Sequence, residues 1–528
     1  MRNERNTRKS GTLTFLSIAL PFSMLVAAAS SGAQEQDDVI EEIMVTAKFQ
    51  RSLADAISQK RAADNQIEAI GLEDIGVLPA VSIADAIATL PGIAGARTDD
   101  GTISELSVRG TTDLALGLLN GREQVTISTT RNVEYSLYPP NVMTSVQVNK
   151  TPTAKLPEGG LSGVINMNTI KPMDFDERSV VINAEIASYG ISDDVLAADD
   201  FGGQASITYI HPVSDRFSIA LSYAHASEPL GRDGDVAPFP WQPFDGGFGA
   251  PADVDGDGIF GEEVVPGGFT LLQESGEETR DSFFAAVQWQ TDSVDVGFDI
   301  LASNRDQELE QYGVNFAGLT SSSFSLVDPV VTVRNGLDEY GAATITIPGT
   351  NAAGFGSGGS SSFNQLTNVD HDVLSTGLNV SFGNDDWTVV ADLSHSAAES
   401  DEQIFDATTH LAPTGGFGGP TFTVTYSALG EVPTLSVAED LIDASLWVPR
   451  QFEELSASNE DDLNAFRVDL ARYLGDSGLT EVRFGARYSE REKVFTQKET
   501  SATTALVPDD PTLVLDDSFV RGIATPEN

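Results

Sequence analysis

The clearest pattern in the chain is an alternation of apolar and polar residues that begins near residue 178. Stretches of about ten residues place apolar side chains at every second position and small or polar side chains between them. Strands with one apolar and one polar face are typical of a transmembrane antiparallel β-barrel, whose outer face contacts lipid. The pattern predicts nine such strands, which begin near residues 179, 203, 216, 281, 293, 372, 386, 464 and 480.

The connections between these strands alternate between short and long. A soluble β-sandwich has no reason to place its long loops at one end, whereas an outer-membrane barrel has short periplasmic turns and long extracellular loops. The order therefore favours a barrel in an outer membrane. Short turns are predicted at 211–215, 291–293, 383–386 and 473–478, and long loops at 228–280, 304–370 and 398–460.

The region before the strands, residues 53–172, mixes helix and strand signals and is predicted to be a small α/β domain. In SIADAIATLPGI, Ser82 can cap a short helix whose apolar side chains share one face, and Pro91-Gly92 ends that helix. Short strands are predicted at 103–110 and 144–152, and a glycine-rich turn precedes an alternating strand at 164–168.

The N-terminus has the features of a secretory signal peptide over residues 1–33. A basic start is followed by an apolar run and by the small residues Ser31-Gly32-Ala33, which are typical of a cleavage site. The segment EEIMVTA at 41–47 then forms a lone apolar strand between charged residues, with no neighbouring strand to pair with. Export from the cytoplasm is therefore expected.

Charge and composition exclude several functions. The chain has 528 residues with 79 acidic and 30 basic side chains, a formal net charge of −49. Phosphate binding requires a basic face, so nucleic acid is excluded as a partner. There is no cysteine, which excludes a disulfide framework and thiolate chemistry. The five histidines show neither metal-ligand spacing nor a nucleophile-elbow context, so no enzyme is predicted.

Several motifs, taken in order, resemble those of TonB-dependent outer-membrane receptors. EEIMVTA resembles the TonB box, SIADAIATLPGI with LSVRG and LNGRE resembles the plug core, and YPPNVMTSVQVNKTPTAKLPEGGLSGVINMNTIKP resembles the end of the plug. The resemblance implies a barrel in the bacterial outer membrane that imports a scarce nutrient. The TonB complex of the inner membrane would drive this import, and neither catalysis nor a required cofactor is implied.

The resemblance also assigns domains and site residues. It implies a TonB box and tether at 34–52, a plug at 53–172 and a partial barrel at 173–528. Strand pairing with TonB would use backbone groups for affinity and alternate side chains for register. The TonB-binding residues would be Ile43, Met44, Val45, Thr46 and Ala47, and the plug motif residues Arg109, Gly110, Glu158, Gly159 and Gly160.

Three arginines are expected at the boundary between plug and barrel. We expect Arg109 to pair with an acidic residue of the barrel wall. Arg483 and Arg487 have the parity of lumen-facing residues, so we expect both to contact the plug.

One long loop contains a motif that resembles a calcium site. DVDGDGIFGEE at 253–263 places Asp253, Asp255 and Asp257 at positions 1, 3 and 5 of a calcium loop and Gly258 at position 6. Position 12 is Val264 instead of the bidentate Glu, so only weak calcium binding is predicted. This motif also supports an alternative function, a secreted calcium-binding β-rich enzyme or adhesin.

The sequence says less about the substrate and about whether the barrel is complete. Iron chelates, cobalamin and oligosaccharides all remain candidate substrates, and acidic loops, which repel anionic chelates, favour a neutral carbohydrate. Nine is an odd number of strands and falls well short of the roughly 22 of plugged transporters, so the sequence predicts an incomplete barrel that belongs to a longer protein.

Overall fold

The structure is a computed structural model, and it describes most of the chain after residue 56. The described residues are 57–71, 83–97, 103–111, 114–190, 195, 199–238, 241–243, 258–259, 261–317, 326–334, 336–349, 361–411, 419–429, 434–438, 447–474 and 480–503. Residues 51–528 belong to one compact unit.

The plug domain is built around a five-stranded mixed sheet. Its strand order is β1-β6-β7-β4-β5, in which only β4 and β7 run parallel. A two-stranded antiparallel ribbon, β2-β3, and two short helices pack beside it. The elements are α1 at 57–62, β1 Ile67–Gly71, α2 Ile83–Ala88, β2 Ile93–Arg97, β3 Ile103–Val108, β4 Ala115–Leu119, β5 Arg122–Glu123, β6 Met143–Asn149 and β7 Gly163–Thr169, with single 3₁₀ turns at Tyr135–Leu137, Pro140–Val142 and Pro172–Asp174.

The predicted elements of this domain are confirmed. The helix predicted after Ser82 is α2, and its residues Ile83 and Ile87 are completely buried in the plug core. The strands predicted at 103–110, 144–152 and 164–168 are β3, β6 and β7. These elements form because their apolar residues recur at the period of a helix or a strand, so one face of each can be buried.

Most of the described residues after the plug form a nine-stranded antiparallel sheet, which we call the wall. Numbered along the whole chain, its strands are β8 Ser179–Ser188, β9 Phe201–Ser214, β10 Phe217–Pro238, β13 Gly268–Gln290, β14 Val294–Ala317, β17 Ser361–Gly383, β18 Trp387–Leu411, β21 Trp447–Tyr473 and β22 Glu481–Thr503. The predicted number of wall strands is therefore confirmed.

The predicted strand length of about ten residues is wrong for seven of the nine wall strands. From β10 onward each strand has 22 to 27 residues. Much of the sequence predicted as long loops at 228–280, 304–370 and 398–460 therefore continues as β-structure. The upper halves of the strands, which lie toward the long connections, have polar residues on both faces, for example the adjacent Glu277 and Glu278 of β13. The backbone ladder therefore persists while the alternation disappears.

We call the half of the wall that lies toward the short turns the lower wall. Its two faces differ in polarity. The face turned away from the plug exposes large apolar side chains, which we call the apolar band: Leu221, Tyr223, Phe283, Val287, Trp289, Phe298, Leu378, Val380, Phe382, Leu393, Phe466, Phe484 and Tyr488. The face turned toward the plug has small or polar buried residues such as Ser218, Ala220, Ser222 and Ser375. This is the distribution that a wall between lipid and a plugged lumen requires.

The connections at the upper end form a second, smaller structure that was not predicted. We call it the loop sheet, and it has six strands: β11 Trp241–Pro243, β12 Glu263–Pro266, β15 Leu326–Arg334, β16 Leu337–Gly349, β19 Gly419–Ser427 and β20 Thr434–Val437. Its core includes Ile345, Val424 and Tyr426, together with Phe269 and Trp447 from the tips of wall strands. The ring centroids of Phe269 and Tyr426 lie 5.1 Å apart.

The wall is an open sheet. β8 and β22 lie at its two edges, and among the strands that the structure describes neither edge pairs with the other. Because the nine strands are antiparallel, the first and the last run in the same direction. Within the described part of the chain, no helix combines the length and the apolar character that crossing a bilayer requires.

Candidate functional site

The plug contacts the inner face of the wall mainly through polar groups. One apolar cluster joins the plug core to a few wall residues, including Phe284, Leu301 and Leu463. Around it, a single stretch of the plug at residues 120–141, which we call the wall-contact segment, makes side-chain hydrogen bonds or ion pairs with six of the nine wall strands. This segment is the candidate functional site because any movement of the plug must break its bonds.

The segment starts at a tight turn that points at the wall. Asn120 and Gly121 connect β4 to β5 with positive φ angles of 53° and 78°, as an Asn-Gly hairpin turn requires. The side-chain amide of Asn120 donates a hydrogen bond to Asp299 of β14 at 3.2 Å. The turn therefore directs the next residue, Arg122, toward the same carboxylate.

Arg122 is the central contact between plug and wall. Its guanidinium lies 2.6 Å from Asp299 through Nη1 and 3.0 Å from Asp392 through Nε, and only 5 % of its side chain is exposed. Gly377 of β17 makes room for it, because a Cβ atom there would lie 2.0 Å from Cζ of Arg122. Burial lowers the pKa of Arg122, but the attraction of the two carboxylates outweighs burial and leaves the pKa above its ordinary value. The arginine is therefore held as a buried cation between two acids.

A second set of ion pairs lies beside the first. Glu123 accepts a hydrogen bond from Arg487 at 2.7 Å and lies 3.7 Å from Arg491, both on β22. Arg491 also binds Asp461, whose side chain is fully buried, and Lys493 lies 3.5 Å from the same carboxylate. The predicted contact of Arg487 with the plug is confirmed.

The wall also binds the backbone of the plug loop that follows. The side-chain amide of Asn459 donates hydrogen bonds to the carbonyl oxygens of Thr126 at 3.2 Å and Ile127 at 2.9 Å. Lys493 donates to the carbonyl oxygen of Thr130 at 2.9 Å. Backbone bonds of this kind fix the path of the loop whatever its side chains are. Thr129, Thr130 and Arg131 remain exposed at its tip.

The last part of the wall-contact segment binds β14. Ser136 accepts a hydrogen bond from Arg305 at 3.0 Å and donates one to Glu134 at 2.7 Å, and Arg305 also bonds His371 of β17 at 2.8 Å. Burial raises the pKa of the Glu134 carboxyl above its ordinary value, although Arg305 and Ser136 offset part of this rise. Hydrogen bonds to the wall thus extend along the whole length of the segment, from Asn120 to Asn141.

A separate buried ion cluster lies at the start of the plug. Glu68 of β1 binds Lys150 at 3.1 Å and Lys60 of α1 at 2.5 Å. Lys150 also donates a hydrogen bond to the carbonyl oxygen of Pro91. Burial raises the pKa of Glu68, but the hydrogen bonds from both lysines outweigh burial and leave the pKa below its ordinary value. The cluster ties the edge strand β1 to the neighbouring strand β6 and to α2.

The motif residues that the sequence predicted lie within the plug. Arg109 has a positive φ of 58° and donates a hydrogen bond to Gln66 at 3.3 Å, so the prediction that it pairs with an acid of the wall is wrong. The reason is its position in a turn after β3, which leaves its side chain exposed. Gly110 and Gly159 both have positive φ, at 77° and 121°, and Glu158 and Gly160 flank Gly159 in the same turn before β7.

The other predicted positions differ in outcome. The prediction that Arg483 contacts the plug is wrong, because it pairs with Glu481 of its own strand at 2.5 Å near the start of β22. Residues 43–47 and Asp253, Asp255 and Asp257 lie outside the described residues. Gly258 has a φ of 90°, as the turn of a calcium loop would need, and within the described residues no group of acids or histidines is placed to hold a metal.

Sequence reasoning missed the central ion pair. LNGRE was recognised as a plug motif, but Arg122 was not singled out. A signal for its partners existed, because Asp299 and Asp392 occupy polar positions between the apolar residues of β14 and β18. Arg122 and Glu123 follow the Asn-Gly turn, and Asp299 and Asp392 lie on the lumen side of the wall. Together these two signals would have indicated the contact.

A wall with an apolar outer face, and a small α/β domain bonded to its polar inner face, define the class of plugged transport proteins. Residues 59–164 match the family described as TonB-dependent Receptor Plug Domain. The resemblance inferred from the motifs is thereby confirmed. TonB-dependent receptors are transporters and not enzymes.

Comparison with solved structures returns receptors of similar kind at low similarity. A ferric enterobactin receptor mutant from Pseudomonas aeruginosa is 10% identical over 83% of this chain and 72% of its own, with a TM-score of 0.34. The siderophore receptor PirA from Acinetobacter baumannii is 10% identical over 83% of this chain and 92% of its own, with a TM-score of 0.28. The ferric-catecholate import receptor Fiu from E. coli K12 is 12% identical over 83% of this chain and 80% of its own, with a TM-score of 0.28. No curated protein matches the chain.

Proposed function

We propose that this protein is an energy-coupled receptor of the bacterial outer membrane, which imports a scarce nutrient when TonB displaces its plug. The observation that carries the proposal is the plug domain at 59–164, bonded to the inner face of the wall through the buried ions around Arg122. The apolar band supports placement of the lower wall in lipid, because outward apolar side chains at alternate positions are what hydrocarbon requires.

The contacts of the plug suit a part that is held and then released. Ion pairs and hydrogen bonds can be replaced by bonds to water when the lumen is wet, whereas a continuous apolar interface would expose hydrocarbon surface on separation. The wall-contact segment therefore keeps the plug in a defined position and allows it to leave without exposing a second core. Force applied at the N-terminus would reach this segment through β1 and the sheet.

Coupling to TonB is assigned to residues 43–47. An extended segment can add a strand to a partner sheet, with backbone bonds giving affinity and alternate side chains giving register. Because the chain has no cysteine, single cysteines introduced at positions 43 to 46 can be cross-linked to a cysteine on the TonB periplasmic domain without background reaction. Strand pairing predicts strong and weak cross-linking at alternate positions.

The functional test uses the same segment. Val45→Pro removes a backbone amide and should abolish import while leaving membrane insertion intact. The control is Gln36→Pro, which makes the same kind of change upstream of the segment. Strains that express either variant would be compared with wild type for growth on neutral oligosaccharides as carbon source and on ferric chelates as iron source. Equal growth of the Val45→Pro and wild-type strains on every nutrient that requires the receptor would contradict the proposed coupling.

The substrate that we favour is a neutral carbohydrate. The formal net charge of −49 creates a field that repels anionic chelates and leaves neutral solutes unaffected. The opposite outcome is receptor-dependent growth on a ferric chelate and on none of the oligosaccharides. That result would contradict this choice of substrate and leave the importer proposal intact.

A further inference from the structure

The loop sheet contains a concave pocket that lies apart from the wall-contact segment. Its volume is about 290 Å³, near the lower end of the range for ligand pockets, so it suits one small ring. The residues that line it are Trp241, Thr332, Glu339, Gly341, Ala428 and Leu429.

Two large apolar side chains are left open at this pocket. Trp241 is 42 % exposed and Leu429 is 51 % exposed, although the loop sheet has an apolar core of its own in which they could have been buried. Single exposed apolar residues need no explanation. A tryptophan and a leucine that line one concavity beside polar groups match the composition of ligand sites, in which apolar walls surround a few polar contacts.

Four of the six lining residues lie on paired strands, and Ala428 and Leu429 directly follow β19, so most of the pocket is formed before any ligand arrives. Trp241 belongs to β11 and pairs with Pro266 of β12, and Thr332 and Glu339 are direct cross-strand partners on β15 and β16. Sites carried by strands hold their side chains in place better than sites on irregular loops.

The wall of the pocket that Leu429 forms depends on a glycine. The backbone amide of Ala428 donates a hydrogen bond to the carbonyl oxygen of Gly341 at 2.7 Å. A Cβ atom at Gly341 would lie only 2.3 Å from Cδ2 of Leu429. The absence of a side chain at position 341 thus lets Leu429 lie against β16 and leaves the concavity open.

The chemistry of this lining suits a sugar ring. A pyranose has an apolar face of C–H groups that can stack on the indole of Trp241, and its edge carries hydroxyl groups. The carboxylate of Glu339 is an acceptor for hydroxyl donors, and the Thr332 hydroxyl can donate or accept. An anion would be repelled by the field of the whole chain.

We propose that this pocket binds one ring of a neutral carbohydrate and so captures the substrate outside the barrel lumen. The proposal names the substrate of the importer described above and in that sense rests on it. Binding to the pocket is nevertheless a property of the loop sheet and requires neither TonB nor movement of the plug.

The test measures binding to the purified full-length chain in detergent. Probes are methyl glucoside, methyl galactoside, methyl mannoside and methyl xyloside with their trisaccharides, and binding is followed by saturation-transfer difference NMR and by tryptophan fluorescence. We expect saturable binding of at least one sugar with a Kd on the order of 1 mM, the weak affinity that one small ring provides. Trp241→Ala should weaken it at least tenfold, whereas Trp241→Phe, which keeps an aromatic face, should retain most of it.

Two further variants separate a pocket from a general effect. Gly341→Ala should weaken binding by displacing Leu429, and Trp289→Phe, a change in the apolar band, should leave binding unchanged. An unchanged far-ultraviolet circular dichroism spectrum of each variant would confirm that it folds. No saturable sugar binding, or an equal loss with Trp289→Phe, would overturn the proposal.

Choline tests the main competing ligand class, because an organic cation can also bind an indole face beside a carboxylate. Choline binding that is tighter than that of every sugar and is lost in Trp241→Ala would overturn the assignment to carbohydrate. The Val45→Pro variant should keep full sugar binding while losing import. Loss of pocket binding with intact TonB-dependent import would therefore refute this inference and leave the proposed function standing.

Discussion

The plug and the wall bury their apolar residues in opposite directions. The plug has an apolar core, with Ile83, Ile87 and Ile165 completely buried, and a polar surface. The lower wall exposes its large apolar side chains on the outer face and turns small and polar residues inward. Two structures that differ in this way meet at a polar boundary, where ions such as Arg122 hold them together. The comparison teaches that buried charges hold the boundary together beside the one apolar cluster that the plug and the wall share.

Removal of the central charge should have the largest effect on this boundary. Arg122→Ala leaves Asp299 and Asp392 as buried acids without their cation, and breaking a buried ion pair in this way costs about 3–5 kcal/mol. We expect the free energy of opening of the plug to fall by that amount, measured by hydrogen exchange of plug amides in detergent. The wall, which keeps its own ladder of backbone bonds, should retain its protection.

The matched control is Arg483→Ala, which removes an arginine whose side chain is 51 % exposed and which pairs with Glu481 of its own strand. A solvent-exposed pair of this kind contributes little to stability. Equal protection of the plug in both variants would show that the boundary does not depend on the buried ions.

A charge on the outer face of the wall should have the next largest effect. Val380→Arg places a cation in the apolar band, where a charge facing lipid costs about 2–4 kcal/mol at the middle of the bilayer. Phe405→Arg makes a similar change on the same face of the sheet, but among the polar residues of the upper half of β18. We expect Val380→Arg to reduce assembly into the outer membrane, measured by the amount of protein recovered in outer-membrane fractions, and Phe405→Arg to assemble normally. Equal assembly would show that the band does not lie in lipid.

Acidification should have the smallest effect, and it should act inside the plug. The pKa of Glu68 is lowered below its ordinary value of 4.5 in the folded protein, so its contribution to stability is present above pH 4.5 and is lost as the pH falls through the lowered value. A spin label on Ala62→Cys, next to Lys60, should become more mobile in electron paramagnetic resonance spectra over that range.

Glu68→Gln provides the control for this measurement. The amide keeps the shape of the side chain but carries no charge, so the label should be mobile at every pH and show no transition in the acid range. A transition that persists in Glu68→Gln would mean that another group is responsible for it.

The sequence predicted those parts of the fold in which the two faces of a strand lie in different environments. Leu378, Val380 and Phe382 reveal β17 because lipid demands apolar residues at alternate positions and the lumen does not. The upper half of β18, where both faces are solvated, carries no such constraint, and residues 399–406 therefore resembled a loop. The loop sheet was missed for a different reason, since its strands pair across long separations along the chain, such as Ile345 of β16 with Val424 of β19.

The candidate site was predictable only in part because its contacts join distant residues. Asp299 and Asp392 lie 177 and 270 residues from Arg122 along the chain, so their meeting depends on the position of whole strands. The alternation of inward and outward positions along β22 correctly placed Arg487 against the plug. It gave the wrong result for Arg483, which lies four residues away on the same face. Parity fixes the face of a strand on which a residue lies, whereas contact with the plug also depends on its height along the strand.

The length of the wall strands sets how far the protein reaches from the cell. β21 has 27 residues, and about 9–11 of them suffice for a tilted strand to cross the hydrocarbon of a bilayer. At roughly 3.3 Å per residue and a tilt of about 45°, the remainder rises some 35–40 Å above the lipid. With the apolar band in the outer membrane, as we propose, the loop sheet stands at that height above the lipid. A solute that approaches from outside would then meet the loop sheet before it meets the plug.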